Sequence, residues 1–290
     1  MAQAALIINA GSRSGAALEE QACRELESHG LTLGMSADVP GAEIPHWIRQ
    51  ALDGGLSPIV VGGGDGTQAI AADALKNTGV PLGILPLGTG NALARDLRIP
   101  LDLAGACRTV ATGHPLAIDI GEANGRVFVN LCSLGLVAGI DEALNPAVKS
   151  IVGRAAYVSA VAVALSQRVP FELTMEFEGH RETVTTLLGG CGPGNTQGGI
   201  LPLPGPTSHL SGELSCYAVD SLDLVKYAEL LWRLRTGTEE EMPELRVQSC
   251  AEFLVETSPV QSAVLDGELV AENPLHLRCL PRALTVIVPA

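Results

Sequence analysis

Pro58-Ile59-Val60-Val61-Gly62-Gly63-Gly64-Asp65-Gly66-Thr67 runs from a compact apolar strand into four glycines within five positions, an acid and a hydroxyl. Helical composition follows over residues 67–77, then a strand at 80–85, a second Gly-rich turn and a helix at 91–97. Upstream, residues 5–9 form an apolar run ending at a polar turn, 16–29 are helical in composition, 31–36 strand-like and 45–52 helical. Strands alternating with helices predict a parallel sheet covered on both faces, an α/β domain.

Beyond residue 119 the texture changes. Strands are predicted at 116–120, 126–131, 171–177, 183–188, 213–219, 245–255, 260–265, 275–280 and 284–288, with helices only at 149–166 and 222–235. Many strands joined by Gly and Pro turns predict an antiparallel sandwich. The Gly, Pro and Ser residues of 189–212 predict a long ordered loop at the domain junction. The expected architecture is an α/β domain over 1–120, a β-rich domain over 121–290 and an active site in the interdomain cleft.

Composition narrows the function. The 290 residues are 47% hydrophobic and 17% charged, enough to bury a large core and too apolar for disorder. Eighteen Lys and Arg against thirty-two Asp and Glu give a net charge of −14. Such a chain repels phosphate backbones, and its nine Phe, Trp and Tyr are too few for base-stacking platforms, so nucleic acid is excluded as a partner. The seven cysteines are scattered with no C-x-x-C pair, which signals neither zinc nor a disulfide framework but buried thiols in a reducing cytoplasm. The start lacks a signal-peptide pattern, and the longest uncharged apolar stretch, 155–165, is too short to span a bilayer. A cytoplasmic protein is expected, and the exposed strand edges of a β-rich domain would allow a homodimer.

Glycines let backbone N–H groups approach an anion, and a helix N-terminus adds its positive dipole end. An acid inside a phosphate cradle implies a magnesium nucleotide. The P-loop pattern is absent, because no Lys-Ser or Lys-Thr follows a glycine loop, and G-x-G-x-x-G fails from both Gly62 and Gly64. A second strand-to-helix loop, Leu85-Pro86-Leu87-Gly88-Thr89-Gly90-Asn91, can line the same site from the next strand end, or can be an ordinary turn with Asn91 as N-cap. Far downstream, Val264-Leu265-Asp266-Gly267-Glu268 carries a hairpin signal that also offers a carboxylate to accept a hydroxyl proton.

Together, Gly63-Gly64-Asp65-Gly66-Thr67, Pro86 to Asn91 and Leu265 to Glu268 resemble the diacylglycerol kinase catalytic-domain family, which includes bacterial lipid kinases, sphingosine kinases and ceramide kinases. Fainter echoes are Asn9 with Ser14-Gly15, the segment 118–121 with 124–126 and 128–130, and Asn195 with Gly198-Gly199. The resemblance implies a two-domain ATP-dependent lipid kinase with ATP and Mg²⁺ between the domains. Asn9, Gly63, Gly64, Asp65, Gly66, Thr67, Gly88, Thr89 and Asn91 would surround the nucleotide. Asp65 and Asp119 would hold magnesium through water, Asp266 would be the general base, and Glu268 would lie near the metal and phosphates. The lipid acceptor implies transient contact with a membrane surface. The chain departs from the family at Ala92 and Ile70, where acids are common, at Ser211 in place of Asp, and at Ala10 in place of Pro. The glycine loop alone also fits NAD kinases and other soluble-substrate kinases, and the departures fit a non-catalytic nucleotide- or lipid-binding relative.

Overall fold

The computed structural model describes residues 3–11, 15–135, 169–194, 196–197, 201–202 and 204–290. The chain opens with β1 (Ala4–Asn9), α1 (Gly15–Ser28), β2 (Leu33–Val39), α2 (Ile44–Asp53), β3 (Ile59–Gly63), α3 (Asp65–Leu75), β4 (Leu82–Pro86), α4 (Ala92–Asp96) and α5 (Leu103–Thr112). β2, β1, β3 and β4 lie side by side and parallel, as the alternation predicts. The apolar runs of β1, β3 and β4 are buried because helices cover both faces, while β2, at the sheet edge, is partly exposed. α2 turns Ile44, Ile48 and Ala51 inward at helical spacing. Asp102 caps α5 by accepting the Gly105 N–H.

The next strands are β5 (His114–Ala123), β6 (Arg126–Phe128), β7 (Cys132–Gly135), β8 (Phe171–Phe177), β9 (His180–Thr186), β10 (Leu188–Gly192), β11 (Thr196–Gln197), β12 (Leu201–Pro202) and β13 (Leu214–Val219). After α6 (Leu224–Thr236) come β14 (Leu245–Cys250), β15 (Glu252–Ser258), β16 (Ala263–Leu265), β17 (Glu268–Val270) and β18 (Leu275–Val288). β14, β13, β10, β7, β16 and β17 make an antiparallel sheet. One face packs against the antiparallel part of the first sheet through Phe128, Phe171, Met175, Phe253 and a cross-strand row of Cys132, Cys191 and Cys216. The other face lies under Tyr227, Leu230 and Leu234 of α6.

Three expectations change. The strands predicted at 275–280 and 284–288 are one fourteen-residue strand, β18, with a register shift between Leu280 and Leu284. It joins the N-terminal sheet, parallel to β4 at Val286 and antiparallel to β5, so a ten-stranded mixed sheet runs through both halves of the chain. The strand predicted at 245–255 splits around Ala251, where the chain leaves one sheet for the other. Residues 189–192 are strand and not loop: a Cβ on Gly189 would meet Leu173 at 2.6 Å, and one on Gly190 the Tyr217 ring at 2.6 Å. These glycines let large side chains lie on the strand. The predicted helix at 149–166, the apolar stretch 155–165, Ser14, Asn195 and Gly198-Gly199 lie outside the described residues.

Candidate active site

β3 delivers its glycines to the sheet edge and α3 begins at once, with Gly64 as N-cap in an extended conformation. Each glycine has a distinct neighbour. A Cβ on Gly63 would strike the Thr67 side chain at 2.5 Å, and one on Gly90 would lie 2.5 Å from Asp65 Oδ2. Gly66 faces open space. The Asn9 amide donates to Thr67 Oγ1 at 2.7 Å and accepts the Gly11 N–H at 3.0 Å, joining the end of β1 to the start of α3.

Asp65 gives its carboxylate to the second loop. Oδ2 accepts the Asn91 N–H at 2.9 Å and Oδ1 the Ala92 N–H at 2.6 Å, so Asp65 caps α4 from another helix. Asn91 is not the side-chain cap. It is buried, left-handed at φ 51°, accepts the Gly88 N–H and donates to the Gly88 and Pro86 carbonyls. Its side chain therefore builds the loop from within. Gly88 and Thr89 are exposed.

The Asp-Gly turn joins β16 to β17 with φ of 48° at Asp266 and 99° at Gly267, left-handed at both central residues as a tight hairpin requires. Asp266 Oδ2 accepts the Val129 N–H at 2.6 Å, while Oδ1 accepts those of Asn130 and Leu131 at 2.9 and 3.0 Å. Burial pushes the carboxyl up to about 6, and the three backbone N–H groups oppose that rise.

A cleft of about 560 Å³ opens between the helices and the hairpins. α2 contributes Ile48 and Arg49, α3 contributes Gly66, Ile70 and Asp73, the start of β6 contributes Arg126, and the far hairpin contributes Asp266 and Glu268. Of the residues expected at the site, Gly66, Asp266 and Glu268 line this cleft. Gly63, Gly64, Asp65, Thr67, Gly88 and Asn91 form the two interlocked loops, which Asn9 joins from the end of β1, and none of the seven lines the cleft. Arg49, Asp73 and Arg126 were not singled out as site residues. The helical spacing of Gly66, Ile70 and Asp73 places one stripe of α3 along the cleft, a signal the sequence does carry.

The expected metal ligands are otherwise engaged. Asp119 is buried, its Oδ2 accepting the Gly212 N–H at 2.6 Å and its Oδ1 the Arg282 N–H at 2.8 Å, where it fastens β5 to the loop before β13 and to the register shift of β18. Among the described residues no three His, Cys, Asp or Glu side chains are grouped to hold a metal ion. Backbone donors take one lone pair on each carboxylate oxygen of Asp65 and Asp119 and leave the others, so these residues would hold a magnesium ion through water and not in a direct cage. No helix of the described residues is long and apolar enough to cross a membrane.

Residues 3–123 match the diacylglycerol kinase catalytic domain, and residues 131–288 match the YegS C-terminal NAD kinase beta sandwich-like domain. An uncharacterized protein of Synechocystis sp. is 31% identical over 85% of this chain, which spans 59% of that protein's length. A diacylglycerol kinase of Staphylococcus aureus is 26% identical over 83% of this chain and 77% of its own. The fold is shared with the crystal structure of a diacylglycerol kinase from Bacillus anthracis, at a TM-score of 0.80 and 20% identity, covering 99% of this chain and 96% of that one.

Proposed function

Since the chain belongs to the diacylglycerol kinase catalytic-domain family, we propose that it is an ATP-dependent lipid kinase that phosphorylates a hydroxyl of a diacylglycerol- or sphingoid-like acceptor. The observation that carries this proposal is the state of Asp266. Its Oδ1 takes two backbone N–H groups and Oδ2 one, and the Asn130 side chain adds a further hydrogen bond to the carboxylate. These donors hold the carboxylate rigidly at the cleft. A carboxyl titrating at about 6 is ionised at neutral pH yet basic enough to accept a proton in the transition state.

Gly66 supplies the other half. The first N–H of α3 seen bonding back along the helix is that of Gln68, to the Gly64 carbonyl, so Asp65, Gly66 and Thr67 lie ahead of the ladder. Such N–H groups at a helix start suit an anionic phosphate, and Gly66 leaves room for it. Catalysis would then come from positioning an acceptor hydroxyl between Asp266 and the terminal phosphate. Magnesium would enter with the nucleotide, and Asp65 and Asp119, each oxygen keeping a lone pair, would hold it through water. A net charge of −14 opposes anionic leaflets, so membrane contact would follow the substrate lipid and be transient.

The likeness of residues 131–288 to an NAD kinase sandwich supports a second acceptor class, NAD. Labelled ATP offered with diacylglycerol or sphingosine in mixed micelles, against NAD in buffer, separates the two. Label in the lipid is expected. Label in NAD would move the acceptor to the second class, and bound ATP without transfer to any acceptor would overturn the assignment as a kinase.

A further inference from the structure

The Asn124-Gly125-Arg126 segment brings an arginine to the cleft on a pinned turn. Asn124 and Gly125 are left-handed, at φ of 46° and 85°, so the chain reverses within two residues and β6 starts at Arg126. Asn124 fastens that turn to the start of β18 and the chain before it. Its Nδ2 donates to Glu272 Oε2 at 2.7 Å and to the Pro274 carbonyl at 3.1 Å. Its Oδ1 accepts the His276 N–H at 2.8 Å, and its own N–H donates to the His276 carbonyl at 3.0 Å. Gly125, Arg126 and Val127 then line the cleft. Arg49 lines the helical wall from α2, is exposed, and among the described residues has no hydrogen bond or ion pair. Arg126 approaches an acid, Glu272, at 3.7 Å with both side chains well exposed, a contact of little energetic weight. Neither arginine bonds Asp266 or Glu268, the carboxylates that share the cleft, and Asp73 is taken by Lys76 at 2.7 Å. Among the described residues these two are the only cationic side chains lining it.

We propose that Arg49 and Arg126 form a two-walled phosphate clamp that binds the nucleotide's polyphosphate beyond the start of α3. Neither glycine-rich loop contains a Lys or Arg, so a phosphate chain at Gly66 draws no cation from them. The cleft adds two carboxylates, and the whole chain carries a net charge of −14. Compensation from the protein must therefore come from the two guanidiniums, whose planar forks of N–H donors match phosphate oxygens. With the phosphates running from Gly66 toward Asp266, the clamp holds the transferring group beside the acceptor hydroxyl and offsets repulsion from Asp266 and Glu268. Its part in transfer rests on the proposed kinase function, whereas the clamp itself is a property of phosphate binding.

The test compares Arg49→Gln, Arg126→Gln and the double variant with Arg24→Gln, which removes the same charge from an exposed pair on α1. All three arginines are exposed, so every variant should melt near the wild-type temperature. Calorimetry with Mg-ATP should show affinity lowered about tenfold by each cleft substitution, as loss of a charge-assisted hydrogen bond does. Arg24→Gln should bind as wild type does. Arg126→Lys keeps the charge and loses the fork, so it should regain part of the affinity. Equal ATP affinity in the double variant and in Arg24→Gln would overturn the clamp. The headgroup of a lipid is the other source of phosphate. If dihexanoyl phosphatidic acid competes with diacylglycerol in wild type and not in the double variant, at unchanged ATP affinity, the site belongs to a headgroup and the clamp is overturned. If wild type transfers phosphate to no acceptor, the kinase proposal fails, and the ATP affinities still decide the clamp.

Discussion

A Cβ placed on Gly88 would lie 2.4 Å from the Cα of Gly64, so the two glycine-rich loops touch backbone to backbone. Gly66, two residues beyond Gly64, has nothing within 4 Å of such a Cβ. Two glycines of apparently equal standing thus serve opposite ends, one packing and one access. Gly88→Ala should lower stability by about 1–3 kcal/mol, the usual cost of overpacking. Gly66→Ala should melt at or above the wild-type temperature, because Ala favours a helix over Gly, yet bind ATP more weakly. Thermal melts with ATP calorimetry check both; equal ATP affinity in Gly66→Ala and wild type would remove phosphate from the start of α3.

Asp65 is expected to act on structure before any metal is bound. Asp65→Ala leaves the Asn91 and Ala92 N–H groups without their acceptor, and unsatisfied buried donors cost about 1–3 kcal/mol each. Its melting temperature should fall, and added magnesium without nucleotide should restore none of it. Magnesium-dependent recovery would return Asp65 to the role of a metal ligand.

The difference between Asp65 as read and Asp65 as found shows what a sequence carries. The β3–loop–α3 unit is legible because its cues are local: an apolar run, glycines, then helix formers. The Asp65 acceptor bonds reach 26 and 27 residues along the chain, and those to Asp266 reach 135 to 137. No period or motif encodes such pairings. β18 reads as two strands because its register shift interrupts the alternation, and its place beside β4 depends on pairing and not on composition. α5 drew no assignment, since small residues and a Gly blur its periodicity, although Asp102 stands at its N-cap.

Asp266→Asn separates the general base from the hairpin turn less cleanly than the Asp-Gly motif alone implies. Asn-Gly is an equally good turn, but an amide presents an NH₂ where a carboxylate oxygen now accepts a backbone N–H. The variant should lose about 1–3 kcal/mol of stability and about 10² to 10⁴ in rate. Turnover must be read well below its melting temperature. Near wild-type turnover there would leave Asp266 as a backbone clamp only.

The thiols provide a check on the core. Cys107, Cys132, Cys191, Cys216, Cys250 and Cys279 are buried, and Cys23 is half-buried on α1. Burial pushes Cys107 and Cys279 up to about 12 and raises Cys132 and Cys191 well above the ordinary thiol range. The thiolate is the reactive form, so a disulfide reagent at neutral pH should titrate Cys23 first, with the other six following only on unfolding. Rapid native reaction of a second thiol would contradict the packing between the sheets.

The pH dependence of rate and of stability should run in opposite directions at Asp266. Its carboxyl rises from 3.8 to about 6 through burial. Below about 6 the base is protonated and cannot take the hydroxyl proton, so kcat/KM should fall about tenfold per pH unit on the acid limb. For stability the sign is the reverse of a salt-bridged acid. In the window from 3.8 to about 6 the folded chain holds more protons than the unfolded one. The favourable contribution is complete below 3.8 and is lost as pH rises through about 6. Asp266→Asn lacks this titration, so wild type should lose stability relative to the variant as pH rises through that window. Subtracting two denaturation series cancels every other ionising group. An acid limb in wild-type turnover with no matching slope in the difference would assign that limb to another residue.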